Sequence, residues 1–167
     1  MNKKLNFLLI GYSQIAKKRI IKVLLKNKIT FSVASKSNKK RIKGAKKQFL
    51  DYNYALKNSD ANLVYISLPN SLHYVWAKKA LSLGYHVIID KPICHKLSET
   101  RELINLAKRK KKLLSEAIFY NYHNQINQAI KIAGGKNKIN HVQVNFTIPK
   151  PIKNSLLTSK KFKGGVI

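Results

Sequence analysis

Apolar runs rich in branched side chains alternate along this chain with amphipathic segments that are rich in lysine. The apolar runs predict buried strands at 5–10, 30–35, 62–68, 86–90 and 113–116. The amphipathic segments predict helices at 13–27, 38–48, 71–84 and 97–112. Strands that alternate with helices build a parallel sheet, because short parallel connections need right-handed crossovers. We therefore predict an α/β fold for residues 1–117, a doubly wound parallel sheet with helices on both faces.

Single residues mark the ends of two predicted helices. Gly84 follows the third helix and is expected to be its C-cap. Ser98 is the expected N-cap of the fourth helix, with Arg101 where a capping-box acid would stand. Glu99 and Glu102 favour the first turn of that helix through the helix dipole.

The pattern changes after residue 117. Residues 121–135 predict one more helix closed by glycines, and residues 139–148 alternate like a half-buried strand of an antiparallel sheet. The chain then becomes irregular and ends in "KFKGGVI". We expect residues 118–167 to be the start of a second, incomplete α/β domain with an open antiparallel sheet.

The charge balance of the chain is strongly basic. Lysine and arginine total 34 against six acids, and the formal net charge of +28 favours polyanionic partners. The basic residues are spread over every predicted helix, without the interleaved aromatic residues of RNA-reading modules. We interpret them mainly as solvated helix faces, so nucleic acid is an unfavoured partner that only the charge supports.

No apolar run approaches the ~18 residues of a membrane span, and the first apolar run is too short for a signal peptide. A cytoplasmic location without a membrane partner is therefore expected. The single Cys94 permits no internal disulfide and lacks the companion ligands of a metal site. We interpret it as a packing residue and expect no metal.

The first strand delivers "GYSQIA" at its carboxyl end, where doubly wound sheets bind nucleotides. In the fingerprint G-x-G-x-x-G/A, Gly11 makes the tight turn and Ala16 packs the helix against the strand. Ser13 holds the middle position, where its hydroxyl could donate to a phosphate beside the helix-start N–H groups of Gln14 and Ile15. Two interpretations stay open, a dinucleotide site and a plain strand-to-helix turn.

The end of the second strand bears on the choice of cofactor. An acid there commonly bonds the ribose 2′-hydroxyl of NAD, yet no acid occurs in this chain before Asp51. Ser35 and Lys36 occupy the strand end instead. A hydroxyl and an ammonium suit a 2′-phosphate, so the sequence favours NADP and leaves NAD open.

The stretches "GYSQIA", "VYISLPNSLHYVWAKKALSLGYHVIIDKPIC" and "LLSEAIFYNYHNQ" together resemble the N-terminal part of oxidoreductases of the glucose-fructose oxidoreductase and inositol dehydrogenase (Gfo/Idh/MocA) family. The resemblance covers nearly the whole chain. Its most specific element is the strand-end motif Glu-Lys-Pro, present as Asp90-Lys91-Pro92. It implies a Rossmann domain that binds NADP or NAD, followed by a domain whose sheet forms one wall of the substrate site.

The same resemblance implies roles for individual residues. Lys91 would be catalytic, lying between the nicotinamide and the substrate hydroxyl to stabilise developing charge and help the proton depart. Pro92 would follow a cis peptide bond. Pro69, Asn70 and His73 would line the cofactor. The full set of predicted cofactor-binding residues is Gly11, Ser13, Gln14, Ile15, Ser35, Lys36, Leu68, Pro69, Asn70, His73, Asp90, Lys91 and Pro92.

The segment that joins the two domains matches the family less well. Glu116, Tyr120 and His123 stand at matching positions, whereas Asn121 and Asn124 replace an arginine and a proline. We therefore assign no substrate contact to this segment.

Three hypotheses for function follow. The first is an NAD(P)-dependent oxidoreductase acting on a hydroxyl of a sugar, polyol or nucleotide sugar. The second is a non-catalytic nucleotide-binding remnant or assembly partner, and the third is a basic nucleic-acid-binding module. Substrate, direction and oligomeric state, a homo-oligomer included, stay open. In the resembled family, the helix after this point would supply an acid–base partner for the lysine, and this chain ends just before it. We therefore expect the chain alone to bind dinucleotide weakly and to turn over no sugar. We expect it to be a truncated gene product or part of a longer protein.

Overall fold

Six short strands form one parallel sheet in the computed structural model of the chain, which describes residues 4–145 and 147. The strands are β1 (Asn6–Ile10), β2 (Thr30–Ala34), β3 (Gln48–Phe49), β4 (Leu63–Ile66), β5 (His86–Ile89) and β6 (Leu114–Glu116). Their order is β3-β2-β1-β4-β5-β6, and every neighbouring pair is parallel. The order reverses between β1 and β4, so the carboxyl ends of these strands flank the crevice where such sheets bind ligands.

Helices lie in every connection between consecutive strands except the one from β2 to β3. The described residues form α1 (Ile21–Lys26), α2 (Tyr52–Asn58), α3 (His73–Ser82), α4 (Leu97–Arg109) and α5 (Asn124–Ile132). A π-helical turn at Ala16–Ile20 leads directly into α1, and 3-10 turns lie at Asn70–Leu72, Phe119–Tyr122 and Lys136–Lys138. Among the described residues, no helix combines the length and the apolarity needed to span a bilayer.

The strands are apolar because both faces of the sheet are buried. Along β1, Leu8 and Ile10 face a core that they share with α2, α3 and α4. Leu9 faces the opposite core, which α1 covers. All three side chains are fully buried. The predicted doubly wound α/β sheet is confirmed.

The carboxyl end of α3 confirms the predicted glycine cap. Gly84 has a φ of +85°, a conformation that favours glycine. Its N–H donates to the Leu81 carbonyl at 2.9 Å, and the Tyr85 N–H donates to the Ala80 carbonyl at 3.1 Å. These two bonds are the Schellman pattern that satisfies the last carbonyls of a helix.

The predicted N-cap of α4 is wrong. The chain is extended at Lys96, with φ −110° and ψ 135°, and the helix begins at the next residue, Leu97. Ser98 therefore lies inside the first turn, and no side chain caps this end.

The predicted helix at 38–48 is also wrong, since this segment forms an irregular loop that leads into the edge strand β3. Gly44 adopts a φ of +82°, and the Gln48 side chain accepts a hydrogen bond from the Ile42 N–H at 3.1 Å. The Lys46 N–H donates to a carbonyl of β2 at 2.8 Å. Ile42 is the one long apolar side chain that the loop buries, and one such residue per segment does not hold a helix against a sheet.

The sequence pattern did not indicate α2, which follows β3 directly. The Asp51 side chain accepts a hydrogen bond from the Tyr54 N–H at 2.8 Å and so caps the helix. Tyr52, Ala55 and Leu56 are buried against the sheet.

The carboxyl-terminal part of the described chain agrees with the sequence in one respect. Helix α5 confirms the helix predicted within 121–135, and Gly134 and Gly135 follow it with positive φ. The strand predicted at 139–148 is not formed over residues 139–145, which pair with none of the described strands. A strand needs a partner for its backbone groups, and none of the described strands runs beside this segment.

Residues 146 and 148 lie outside the described part of the chain, as does the "KFKGGVI" stretch. The division into domains at 1–117 and 118–167 stays a prediction.

Candidate functional site

The turn after β1 is built around Gly11, whose φ of +97° favours glycine. A Cβ atom at this position would lie 2.1 Å from the Ser67 carbonyl oxygen and 2.9 Å from the Leu68 side chain. The Gly11 N–H donates to the Ala34 carbonyl at the end of β2, at 2.9 Å. The glycine therefore lets the carboxyl ends of β1, β2 and β4 meet at one point.

A helix start follows this turn. The Ser13 hydroxyl oxygen accepts from the Ala16 N–H at 3.1 Å, and the Ser13 carbonyl accepts from the Lys17 N–H at 3.0 Å. Gln14 and Ile15 are exposed and lie in the first turn, where backbone N–H groups have no intrahelical acceptor. Such N–H groups favour an anion.

A chain of side-chain hydrogen bonds runs from this helix start to the end of β5. The Ser13 and Ser67 hydroxyl oxygens are 2.7 Å apart, and the Ser67 hydroxyl donates to Asp90 Oδ2 at 2.8 Å. The Tyr65 hydroxyl donates to Asp90 Oδ1 at 2.5 Å. Because Ser67 donates to the carboxylate and Ser13 already accepts from Ala16, the bond between the serines runs from Ser13 to Ser67.

Tyr65 is buried beneath the site and stays a donor. Its side chain is 3% exposed. Burial raises the pKa of the Tyr65 hydroxyl far above its ordinary value, and the hydrogen bond to the Asp90 carboxylate raises it further.

Lys91 follows the end of β5, and the Lys91–Pro92 peptide bond is cis, as the resemblance implied. The backbone is held on both sides of the lysine. The Asp90 N–H donates to the last carbonyl of β4 at 3.0 Å, and the Ile93 N–H donates to Glu116 Oε1 at 2.9 Å. The Lys91 side chain is exposed. A cationic group thus projects from a fixed turn at the carboxyl edge of the sheet.

His73 lies below the surface of this edge and is fully buried. Its Nδ1 is 2.7 Å from the Pro92 carbonyl oxygen, and its Nε2 is 2.9 Å from the Leu68 carbonyl oxygen. Carbonyl oxygens only accept, so a neutral ring donates to one of them and an imidazolium donates to both. His73 therefore ties the loop after β4 to the cis turn and holds both in position.

The end of β2 carries the two residues predicted to choose the cofactor. Ser35 is buried, and its hydroxyl oxygen accepts from the Asn38 N–H at 3.2 Å. Lys36 is exposed, with its ammonium 5.2 Å from the centre of the Tyr52 ring. The first carboxylate of the chain, Asp51, is engaged as the cap of α2.

All the residues predicted to bind the cofactor lie just after the carboxyl ends of β1, β2, β4 and β5, and Leu68, Pro69 and Asn70 are half-buried there. Tyr120 and His123, which match the family in the segment after β6, are not among these residues. Tyr120 is exposed, and His123 accepts from the Gln125 N–H at 3.2 Å as part of the start of α5.

Tyr65 and Ser67 belong to the site, although the sequence analysis did not single them out. They stand at alternate positions of an otherwise apolar strand, which puts both side chains on one face. The register pairs Ile66 with Ile89, so Ser67 lies beside Asp90. The sequence signal that could have identified them is a pair of hydroxyl residues, two positions apart, at the end of a buried strand.

The sequence profile of an oxidoreductase family with an NAD-binding Rossmann fold, GFO_IDH_MocA, matches residues 5–118. A dTDP-3,4-didehydro-2,6-dideoxy-α-D-glucose 3-reductase of Streptomyces violaceoruber is 28% identical over 118 residues, which are 70% of this chain and 34% of that protein. A D-xylose 1-dehydrogenase (NADP(+)) 2 of Haloferax volcanii is 29% identical over 101 residues, 60% of this chain and 31% of that protein.

The fold also matches a solved structure of KijD10, a 3-ketoreductase from Actinomadura kijaniata in complex with NADP and TDP-benzene. The TM-score is 0.71 with 25% identity, over 78% of this chain and 42% of that one. The chain thus spans less than half the length of the relatives that it matches.

Proposed function

Since the chain belongs to the Gfo/Idh/MocA family of oxidoreductases with an NAD-binding Rossmann fold, we propose that it holds the nicotinamide cofactor and the catalytic lysine of an NADP-dependent reductase of nucleotide-linked sugars. One observation carries the proposal. Lys91 is exposed in a turn whose backbone is held on both sides, at the same sheet edge as the Gly11 turn.

The residues at the first turn fit a dinucleotide pyrophosphate. Gly11 keeps the turn tight, because a Cβ there would collide with the Ser67 carbonyl. The first-turn N–H groups of Gln14 and Ile15 would hold the phosphates. The Ser13 hydroxyl is engaged by Ser67, so backbone donors rather than this hydroxyl would make the contact.

The end of β2 supports NADP as the cofactor. A carboxylate at this point would repel a 2′-phosphate, and the chain has Ser35 and Lys36 there instead. Lys36 is exposed with its ammonium next to the Tyr52 ring and would be the residue to bind a 2′-phosphate, while Asp51 is engaged as the cap of α2. Charge-assisted bonds to a phosphate are among the stronger hydrogen bonds of proteins.

A bound nicotinamide cofactor would supply the hydride exchange with the carbon that carries the substrate oxygen. Lys91 acts on that oxygen. In reduction of a ketone, its ammonium donates a proton as negative charge develops on the oxygen. In the reverse direction, the amine accepts the hydroxyl proton. The backbone of the turn is held at Asp90 and Ile93, which fixes the point from which the lysine side chain extends.

The names of the relatives support the substrate class. One relative reduces a dTDP-linked keto sugar, and the solved 3-ketoreductase holds TDP-benzene beside NADP. A free sugar is the second candidate, since another relative is a D-xylose dehydrogenase.

The variant Lys91→Ala, made in the full-length protein, tests the proposal. NADPH oxidation is followed with dTDP-linked keto sugars, and NADP reduction with free aldoses and polyols. We expect Lys91→Ala to lower kcat by ~100- to 10,000-fold, the usual contribution of a positioned acid or base, while the Kd for NADPH changes by less than about threefold.

Lys96→Ala is the matched control, because Lys96 is an exposed lysine just before α4. It should leave both kcat and Kd unchanged. Turnover by Lys91→Ala at the wild-type rate would remove the catalytic assignment. NADPH binding without turnover of any of these substrates would instead favour the non-catalytic nucleotide-binding hypothesis.

A further inference from the structure

The phosphate turn and the lysine turn are joined by one directional chain of hydrogen bonds. The Ala16 N–H donates to Ser13, Ser13 to Ser67, and Ser67 to Asp90, whose second oxygen accepts from Tyr65. We propose that Asp90 is a positioning residue and that this chain couples the turn at the helix start to the turn that presents Lys91.

The two β4-side hydroxyl residues of this chain are buried, whereas Ser13 and Asp90 at its ends are half-buried. Ser67 is 2% exposed and Tyr65 is 3% exposed. Hydrogen bonds in such surroundings strengthen one another, and a missing partner leaves a buried donor or acceptor unsatisfied. The chain therefore behaves as one unit, in which loss of a single hydroxyl disturbs the other bonds.

Both oxygens of Asp90 accept hydrogen bonds, from Tyr65 in β4 and from Ser67 just after it, so its carboxylate is held against the end of β4. Lys91, the next residue, is exposed. The acid thus fixes the backbone from which the lysine projects.

The proposal links cofactor seating to lysine orientation. An anion held by the helix start acts on the turn that contains Ala16 and Ser13, and the hydrogen-bond chain carries that constraint to Asp90. The part of this inference that concerns cofactor binding deepens the proposed function and rests on it. In the absence of cofactor, the coupling is a property of the chain itself and can be measured without any ligand.

The first measurement is amide hydrogen exchange in the cofactor-free chain. Asp90→Asn puts an amide donor among the two hydroxyl donors, and Tyr65→Phe removes one of them. Each should accelerate exchange of the Ala16 N–H about tenfold, although Ala16 lies at the other end of the chain of bonds. Ser13→Ala should in turn accelerate exchange of the Asp90 and Ile93 N–H groups.

Tyr74→Phe is the matched control. The Tyr74 hydroxyl also donates to a carboxylate, that of Glu102, but on the outer side of α3 and α4. Its loss should leave exchange at Ala16 and Ile93 unchanged. If Tyr65→Phe or Asp90→Asn does not fold, Ser67→Ala breaks the same chain with a smaller change and carries the test.

The second measurement is the affinity for NADPH, recorded with the melting temperature of each variant. Tyr65→Phe and Asp90→Asn should each weaken binding about tenfold, and the double variant should bind no worse than the weaker single one, because the two groups act as a unit. A purely structural role would lower the melting temperature, as Tyr74→Phe can, without changing the Kd of the folded protein.

The outcomes separate this proposal from the proposed function. Exchange that rises only within the substituted turn, with wild-type NADPH affinity in the variants, overturns the coupling and leaves cofactor binding standing. If the substitutions change amide exchange at the far end of the hydrogen-bond chain while the wild-type chain binds neither NADPH nor NADH, the coupling is supported and the proposed function is contradicted.

Discussion

Ser13 stands where the dinucleotide fingerprint has its middle glycine, and its hydroxyl has a different role from the one its position suggests. The sequence predicts a donor to phosphate. In the structure the hydroxyl lies 2.7 Å from that of Ser67, 54 residues along the chain, and accepts from the Ala16 N–H. The serine therefore makes structural hydrogen bonds where the fingerprint has a glycine, and phosphate binding at this turn stays a prediction.

Residues could be predicted where neighbours in sequence define their role. Gly11 and Lys91 each belong to a local motif at a strand end, and both lie where the motif requires. Tyr65 and Ser67 could not be assigned in this way, because their partner Asp90 reaches them only through the register of β4 and β5. The ring of His73 lies within hydrogen-bond distance of two backbone carbonyls, which the sequence did not indicate, and its predicted place beside the cofactor stays a prediction.

Cys94 offers a test of burial near the lysine turn. Burial raises the pKa of its thiol to about 11 from an ordinary 9.0; a hydrogen bond with Thr100 opposes this, and the carboxylates of Glu99 and Glu116 add to it. Alkylation needs the thiolate, so raising the pKa lowers the rate at any pH below it.

We expect iodoacetamide at pH 8 to modify Cys94 ~100-fold more slowly in the folded chain than in the urea-unfolded chain, since two pKa units change the thiolate fraction by that factor. The rate in the folded chain should keep rising up to about pH 11. Mass spectrometry of the modified peptide gives both rates. A half-maximal rate near pH 9 in the folded chain would contradict the burial.

At the scale of elements, the sequence predicted the strands whose position is determined by burial of their side chains. The strands β1, β2, β4 and β5 are partly or fully buried along both faces and lie close to the expected positions. Residues 38–48 have lysines at helical spacing but bury only Ile42 among their long apolar side chains, and here the edge of the sheet determines the conformation. Helix α2 is short and follows a two-residue strand, so its sequence has no long periodic pattern from which the helix could be predicted.

The cap of α2 can be tested directly. Asp51→Ala removes the acceptor for the Tyr54 N–H, and we expect a loss of ~1 kcal/mol in the free energy of unfolding, within the range of ~0.5 to 2 kcal/mol for such caps. Urea denaturation measures it. Asp51→Asn keeps an oxygen acceptor and should lose much less. An equal loss in both variants would show that the cap bond is not the cause.

At the scale of the whole molecule, the strand order locates the crevice, and the first 50 residues, which include β1 and β2, contain no acid. The order β3-β2-β1-β4-β5-β6 opens its crevice between β1 and β4, and no acid precedes Asp51 along the chain. The elements that would hold the adenosine side of a dinucleotide are therefore basic. The fold of this part could be predicted from the sequence. Of the predicted second domain, 118–167, the structure describes residues 118–145 and 147, which form helix α5 but not the predicted strand.

A charge-reversal pair isolates the role of the β2 end from that of the net charge. Lys36→Asp puts a carboxylate where a 2′-phosphate would lie and should narrow or reverse any preference for NADPH over NADH. Lys110→Asp changes the net charge equally at the exposed end of α4 and should keep the preference. Equal effects of the two substitutions would assign the preference to net charge alone.

The central claim, that this chain carries an NADP site, is tested most directly by titrating the 167-residue chain with NADPH and with NADH at 0.15 M salt and following cofactor fluorescence. We predict saturable binding of both, with NADPH at least ~10-fold tighter, a difference of ~1.4 kcal/mol. NADH binding as tight as NADPH binding would contradict the assigned cofactor, and a chain that binds neither would contradict the account of the site.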